Sequence, residues 1–127
     1  MSKKLLIVDD EPHIRLLLEQ TLEELEDWDV ELLTATNGLE ALETIQREKP
    51  NLVFLDVMMP KMNGYDVCQK VKADPSLSDT YIIMLTAKGQ EFERSRGNDV
   101  GADVYMTKPF DPDEILEKSC EVLGIEM

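Results

Sequence analysis

The sequence has few cysteines and no long apolar segment. Its two cysteines, Cys68 and Cys120, stand far apart within helical patterns rather than in a Cys-x-x-Cys pair, which argues against a zinc site and a disulfide framework. The N-terminal stretch MSKKLLIVDDEP has a basic start, but two aspartates end its apolar run after four residues, so it does not have the pattern of a signal peptide. No segment approaches the length of a transmembrane helix, and we expect a cytoplasmic protein.

Positive charge is also scarce. Lysine and arginine together number 13 against 27 aspartates and glutamates, so the formal net charge is −14. Such a chain repels both a nucleic-acid backbone and an anionic membrane surface, and we expect neither direct nucleic-acid binding nor membrane insertion. Most of the acidic side chains are expected only to solvate the surface.

The chain length of 127 residues is typical of one domain, and no internal repeat, low-complexity tract or linker divides the sequence. Short apolar runs alternate with longer amphipathic segments. The candidate strands are residues 4–8, 30–35, 52–55, 81–85 and 104–106. Several of these runs are apolar almost throughout, which is typical of parallel strands covered on both faces.

Helical patterns lie between and after these runs. In the first, Pro12 suits the opening turn, and one face carries the apolar side chains of Ile14, Leu17, Leu18, Leu22 and Leu25. The segment 90–99 is weakly apolar and contains Gly97, so we expect its helix to be the least stable. Trp28 is expected to pack at the end of the first connection. Five strands alternating with five helices predict a doubly wound α/β domain with a parallel sheet.

Polar residues end the apolar runs of the predicted sheet: Asp9, Asp10, Asp56, Thr86 and Lys108. The carboxyl ends of parallel strands share one edge, where doubly wound domains bind ligands, so these side chains should lie together. Three carboxylates there repel one another by about 4 kcal/mol per close pair at an effective dielectric near 20. Lys108 offsets part of this repulsion. A hard divalent cation such as Mg²⁺, which prefers oxygen ligands, would offset more.

Less specific roles stay open for some of these residues. Asp9 or Asp10 could cap the first helix, and Thr86 could be an ordinary β-branched strand residue. A lone lysine such as Lys108 is a surface residue more often than not. Asp56 differs, because a carboxylate that ends a strand as apolar as LVFL needs a partner or a function.

Four sequence blocks together resemble a known family. The blocks LLIVDDE, LVFLDVMMPKMNG, IIMLTA and GADVYMTKPF are similar, in order and spacing, to the signature blocks of the response-regulator receiver domain, the phosphoacceptor module of two-component signalling. The resemblance covers essentially the whole chain and implies a single receiver domain over residues 1–127, of the stand-alone, chemotaxis-regulator kind. It also implies a flavodoxin-like fold, with strand order 2-1-3-4-5 and five flanking helices.

The resemblance implies roles for the acidic residues. Asp56 matches the aspartate that attacks the phosphorus of a phosphohistidine, on a histidine kinase or a phosphotransfer protein, to form an acyl phosphate. Asp9 and Asp10 match the acidic pair that positions Mg²⁺. Asp56 and the backbone carbonyl of Met58 would complete the set of protein ligands.

The remaining blocks match phosphoryl-binding and switch residues. Lys108 would pair with the phosphoryl oxygens and Thr86 would donate to one of them, while the small Ala87 would leave access to the group. The bond between Lys108 and Pro109 is cis in the family. Tyr105 matches an aromatic switch that rotates when phosphorylation draws Thr86 inward, which would change the surface formed by helix four, strand five and helix five and so present it to a downstream protein target.

The implied activity is self-catalysed phosphoryl transfer in signalling rather than turnover by an enzyme. Met58 and Lys88 offer no carboxylate or amide to hold an attacking water, which predicts slow self-dephosphorylation. A dehalogenase-type aspartyl phosphatase fits less well, because Met58 stands where those enzymes have a second acid. A receiver-like domain that is never phosphorylated also fits less well, because no site residue is missing. A receiver fragment of a longer regulator with an output domain stays open.

Overall fold

The computed structural model describes residues 3–87 and 101–126. The strands found there are β1 (Lys3–Val8), β2 (Val30–Ala35), β3 (Leu52–Asp56), β4 (Tyr81–Ala87) and β5 (Val104–Lys108). They pair in parallel in the order β2-β1-β3-β4-β5, which confirms the predicted sheet and its strand order. The last three strands extend beyond the predicted apolar runs. Asp56, Ala87 and Lys108 are therefore the final residues of strands rather than the first residues of loops.

The helices in the described ranges are α1 (Pro12–Leu22), a 3-10 helix (Glu23–Trp28), α2 (Gly38–Glu48), α3 (Gly64–Ala73) and α4 (Pro112–Leu123). These four α-helices occupy four of the five predicted helical segments. The fifth predicted helix, over 90–99, lies outside the described residues. Among the helices described, none is both long enough and apolar enough to span a bilayer.

Asparagine side chains set the starts of two helices. The side chain of Asn37 accepts a hydrogen bond from the Glu40 amide at 2.9 Å, and the side chain of Asn63 accepts one from the Asp66 amide at 3.0 Å. Each cap satisfies an amide that the helix cannot pair internally, a contribution of about 1 kcal/mol. Both helices consequently begin at a glycine, α2 at Gly38 and α3 at Gly64.

The sheet separates two buried clusters. One contains Val8, Leu55 and Met84 and packs against residues of α2 and α3. The other contains Ile7, Phe54 and Met106 and packs against residues of α1 and α4. Burial on both faces explains why the strand sequences are almost continuously apolar rather than alternating.

Two predictions about the first helical segment are wrong. Leu17 is 39% exposed, whereas Leu18 and Leu22 are fully buried. Leu18 and Leu22 lie four residues apart and define the stripe that faces the sheet, so Leu17, rotated by one position, lies outside it. Trp28 is 47% exposed rather than packed, because it ends the 3-10 helix directly before the left-handed residue Asp29 turns the chain into β2.

Candidate functional site

Strand register brings three charged residues to the same side of the sheet. Three members of the cluster under α1 and α4 are each followed two positions later by a charged residue: Ile7 by Asp9, Phe54 by Asp56 and Met106 by Lys108. Side chains alternate between the faces of a sheet with a period of two, so these charged groups continue the rows of their buried neighbours. They lie at the carboxyl ends of three different strands, and their meeting therefore depends on the pairing of the whole sheet.

The ammonium group of Lys108 lies between two buried carboxylates. Its Nζ donates to Asp9 Oδ2 at 2.9 Å and to Asp56 Oδ1 at 3.1 Å. Burial lowers the pKa of Lys108, but the hydrogen bonds and negative charges of Asp9 and Asp56 outweigh burial, and the pKa is raised above the usual 10.5. Lys108 is therefore protonated at neutral pH and acts as a fixed positive charge.

Asp56 is 5% exposed, and its environment favours the neutral acid. Burial raises the pKa of Asp56 from the usual 3.8 to about 7, and the negative charge of Asp9 adds to the rise. Lys108 opposes the shift through its charge and its hydrogen bond but does not cancel it. One lysine thus leaves the site with uncompensated negative charge, which is the condition under which carboxylates bind a further cation.

Both carboxylate oxygens of the fully buried Asp9 have a donor. Oδ1 accepts from the Glu11 amide at 2.9 Å, while Oδ2 accepts from Lys108. Arg15, one turn into α1, donates from Nη1 to the backbone carbonyl of Asp9 at 2.7 Å. The residue at the N-cap position of α1 is Glu11, and it makes no side-chain cap. Asp9 is thus held by the turn before α1, and helix capping does not account for its position.

Three consecutive acids form a cluster beside Asp9. Carboxylate oxygens of Asp9, Asp10 and Glu11 lie within 4.8 Å of one another, and Asp10 and Glu11 are exposed. Sequence reasoning singled out the two aspartates but missed Glu11, although the run DDE was the available signal. Hard oxygen donors at the mouth of a negatively charged site fit Mg²⁺, which keeps several waters and needs few protein ligands. Asp56 joins this cluster through the ammonium of Lys108, which it shares with Asp9.

The loop between β3 and α3 is closed at its base. The Gly64 amide donates to the Val57 carbonyl at 2.8 Å, and the Val57 amide donates to the Leu85 carbonyl at 3.3 Å. Met58, whose carbonyl the resemblance assigns to the metal, follows at once and is 61% exposed. The base of the loop is therefore fixed to the sheet, and Met58 is the first exposed residue after this base.

Close packing, rather than a left-handed backbone, requires the glycine at position 64. In this loop the residue with a left-handed backbone is Lys61, at φ 71°, whereas Gly64 begins α3. The reason for glycine is steric: a Cβ at Gly64 would lie 2.3 Å from the backbone oxygen of Asp56. The first turn of α3 thus lies directly against the end of β3.

Thr86 and Tyr105, the predicted switch residues, continue the face of the sheet opposite to that of the three charged residues, so Thr86 does not share a row with them as the sequence predicted. Thr86 is buried, and its Oγ1 donates to the Met106 carbonyl at 3.5 Å, the weak end of the hydrogen-bond range. Tyr105 is half-buried and packs against the cluster under α2 and α3. Thr86 pairs in register with Thr107, so Tyr105 lies diagonally beside it on the same face. The Lys108–Pro109 bond is cis.

Comparison with known proteins identifies close relatives. The chain is 47% identical over 122 residues to the "Probable transcriptional regulator ycf27" of Pyropia yezoensis, covering 96% of this chain and 48% of that protein. It is 47% identical over 115 residues to the "Alkaline phosphatase synthesis transcriptional regulatory protein PhoP" of Bacillus subtilis, covering 91% of this chain and 46% of that protein. The chain thus spans about half the length of these curated relatives.

Solved structures share the whole fold. The crystal structure of a putative response regulator from Chloroflexus aurantiacus has a TM-score of 0.87 and 33% sequence identity, and the match covers 98% of this chain and 99% of that one. Residues 5–119 match the family described as "Response regulator receiver domain". The matched region includes the acidic turn, the end of β3, Thr86 and Lys108. The chain therefore belongs to the response-regulator receiver domain family of signalling proteins.

Proposed function

We propose that this domain accepts a phosphoryl group on Asp56 from a phosphohistidine of a histidine kinase or phosphotransfer protein. A carboxylate oxygen of Asp56 bonds to phosphorus while the bond from phosphorus to the imidazole nitrogen breaks, and the imidazole leaves with the electron pair of that bond. The observation that carries the proposal is the contact of Lys108 Nζ with both Asp9 and Asp56, at the ends of three strands. The activity is signalling by self-catalysed transfer, which fits the family.

Each residue around Asp56 has a proposed task. Lys108, a fixed cation, pairs with the phosphoryl oxygens once they replace the carboxylate charge it now contacts. Asp9 and Asp10, together with Asp56 and the carbonyl of Met58, would hold Mg²⁺. When bound, the ion would offset the charge of the carboxylates and of the phosphoryl oxygens.

Two residues of β4 act on the phosphoryl group itself. The Thr86 hydroxyl exchanges its 3.5 Å bond to Met106 for a phosphoryl oxygen. Ala87, the last residue of β4, is small and so leaves the phosphoryl group accessible. Positioning and charge neutralisation supply most of the rate acceleration in such transfers, so no separate general base is assigned.

The signal passes to a protein partner through one surface. Movement of Thr86 toward the phosphoryl group leaves space that the ring of Tyr105 enters, which alters the surface formed by β5 and α4. The predicted helix over 90–99, which the resemblance adds to this surface, lies outside the described residues. PhoP and ycf27 are called transcriptional regulators and are about twice as long as the region they share with this chain. With its net charge of −14, the stretch of residues 1–127 is not itself expected to bind nucleic acid, and a longer regulator could add an output domain.

Phosphorylation by a small donor tests the site directly. The protein is incubated with acetyl phosphate and Mg²⁺, and intact-mass spectrometry follows the addition of one phosphoryl group. We expect modification of the wild type and of Asp79→Asn, an exposed aspartate control, and none of Asp56→Asn or of the wild type in EDTA. Beryllofluoride with Mg²⁺, which mimics the phosphoryl group without being transferred, should change the NMR shifts of the residues around Asp56 in the wild type. Modification that persists in Asp56→Asn would overturn the assignment.

A further inference from the structure

The first residue of α2 touches the backbone of the loop that follows Asp56. A Cβ built on Gly38 would lie 1.8 Å from the carbonyl oxygen of Met62 and 2.6 Å from its carbonyl carbon, whereas real Cβ atoms essentially never approach within 3.0 Å. Both Met62 atoms belong to the backbone. A side chain at Gly38 would therefore require the helix or the loop to move, since no rotation of a side chain removes the overlap.

The glycine at this position has no conformational reason. Gly38 begins a regular helix, and its φ does not lie in the left-handed region. Alanine has the same backbone available and is the stronger helix former. What Gly38 provides is therefore the absence of a side chain at the point of contact with Met62.

Helix α2 is the less movable of the two partners. Its start is capped by Asn37, and its inner face places Ala41 and Ile45 fully buried in the core cluster shared with α3. The loop has less support: its methionines that pack against this cluster are only partly buried, Met58 is largely exposed, and Lys61 is exposed with a left-handed backbone. An added methyl group on Gly38 should thus displace the loop rather than the helix.

The displacement reaches the site because the base of the loop cannot absorb it. Val57 is bonded to β4 through its amide and to Gly64 through its carbonyl, and Gly64 lies against the Asp56 carbonyl. A shift imposed at Met62 must then be taken up between Met58 and Lys61. That stretch includes the Met58 carbonyl, the proposed metal ligand.

We propose that Gly38 is a positioning residue for the phosphoryl site. Because Gly38 has no side chain, the N-terminus of α2 packs directly against the loop backbone at Met62. This contact determines where the Met58 carbonyl lies relative to Asp56. The inference rests on the proposed function and adds a residue from outside the charged cluster. Removal of groups that orient the metal ligands, without binding the metal themselves, typically lowers metal affinity by about 10–100-fold.

The test compares Gly38→Ala with the wild type, and with Glu43→Ala as a control on the exposed face of the same helix. Isothermal titration should show that the dissociation constant for Mg²⁺ rises by about tenfold or more in Gly38→Ala and stays unchanged in Glu43→Ala. With acetyl phosphate, the Mg²⁺ concentration for half-maximal rate should rise by the same factor, while the rate at saturating Mg²⁺ largely recovers. Amide NMR shifts of the metal-free protein should change within the loop from Met58 to Asn63.

An unchanged Mg²⁺ dissociation constant in Gly38→Ala overturns the inference, as does loss of the folded state by circular dichroism, which would show that the loop does not yield. Shift changes confined to α2 would also count against it. Phosphorylation of the wild type distinguishes failure of the proposed function from failure of the role of Gly38. If it is not phosphorylated, the proposed function fails. If it is phosphorylated and Gly38→Ala equals it in every measurement, only the role of Gly38 fails.

Discussion

Lys108 Nζ reaches Asp56 Oδ1 at 3.1 Å across an intervening strand, because β4 lies between β5 and β3 in the sheet. Second-neighbour strands are about 9.6 Å apart. A long side chain at the end of β5 is therefore required to place a positive charge on Asp56.

This geometry predicts the effect of removing the charge of Lys108. Lys108→Met keeps most of the length, but it leaves Asp9 and Asp56 without their cation, so the pKa of Asp56 should rise above about 7. Phosphorylation by acetyl phosphate should slow by about 10²–10³-fold, the usual effect of losing a donor to developing charge. Lys70→Met, at an exposed position of α3, serves as the control. A wild-type rate in Lys108→Met would contradict the role of the lysine.

The raised pKa of Asp56 predicts how stability depends on pH. Folding raises this pKa from 3.8 to about 7, so the folded state holds the proton more tightly, and stability contributed by the neutral acid is lost as pH rises through 7. In EDTA, Asp56→Asn should therefore be more stable than the wild type at pH 8, by on the order of 2–4 kcal/mol. The difference should shrink toward pH 4.

Urea denaturation at several pH values measures this difference. Asp79→Asn, which changes an exposed carboxylate, should give a nearly constant difference from the wild type over the same range. Addition of Mg²⁺ should stabilise the wild type more than Asp56→Asn, because the ion binds the charged carboxylate. If the difference in the free energy of unfolding between the wild type and Asp56→Asn does not grow with pH, burial does not destabilise the charged form of Asp56.

Thr86 and Tyr105 predict a separation of phosphorylation from signalling. Thr86→Ala removes the hydroxyl but leaves Asp56 and Lys108 in place, so acetyl phosphate should still modify the protein, with a rate reduced by about tenfold, the equivalent of one hydrogen bond. The Tyr105 ring resonances should no longer shift on addition of beryllofluoride.

The matched control for the hydroxyl is Thr86→Ser, which keeps the donor and loses the methyl group. It should retain both the rate and the Tyr105 shift. If Thr86→Ala shows a Tyr105 shift as large as that of the wild type, the coupling does not run through this hydroxyl.

Met58 predicts a long-lived acyl phosphate. Its exposed side chain has no group that could orient an attacking water, so the half-life after removal of the donor should be minutes or longer. Met58→Glu supplies a carboxylate at the same position and should shorten the half-life by about tenfold or more. Met58→Leu should leave it unchanged. Decay of the wild type within seconds, followed by mass spectrometry, would sink the prediction.

The fold was accessible from the sequence because its strongest determinants are local. Apolar runs of strand length, separated by helical patterns, predicted the parallel sheet, and four of the five helical segments are helices in the described ranges. The errors came from positions at the edge of a pattern. Leu17 lies one position off the buried stripe, and Trp28 is left exposed by the left-handed turn at Asp29.

Only part of the candidate site could be predicted from the sequence. Alternation along each strand and the shared edge of a parallel sheet explain why Asp9, Asp56 and Lys108 were expected to lie together. The proximity of Glu11 to the aspartates was signalled only by the run DDE. The contact between Gly38 and Met62 had no sequence signal, since a glycine after an asparagine cap reads as an ordinary helix start.

The sequence by itself determined which residues form the strands, and which polar groups end them, because burial pattern and capping act over a few neighbouring residues. Only the tertiary structure decided that Lys108 would bridge Asp9 and Asp56 from the far side of β4, that Asp56 would be buried enough to raise its pKa, and that α2 would rest on Met62. These depend on distances between segments far apart in the chain. Such distances are set by the packing of the whole sheet and its helices, and no local pattern encodes them.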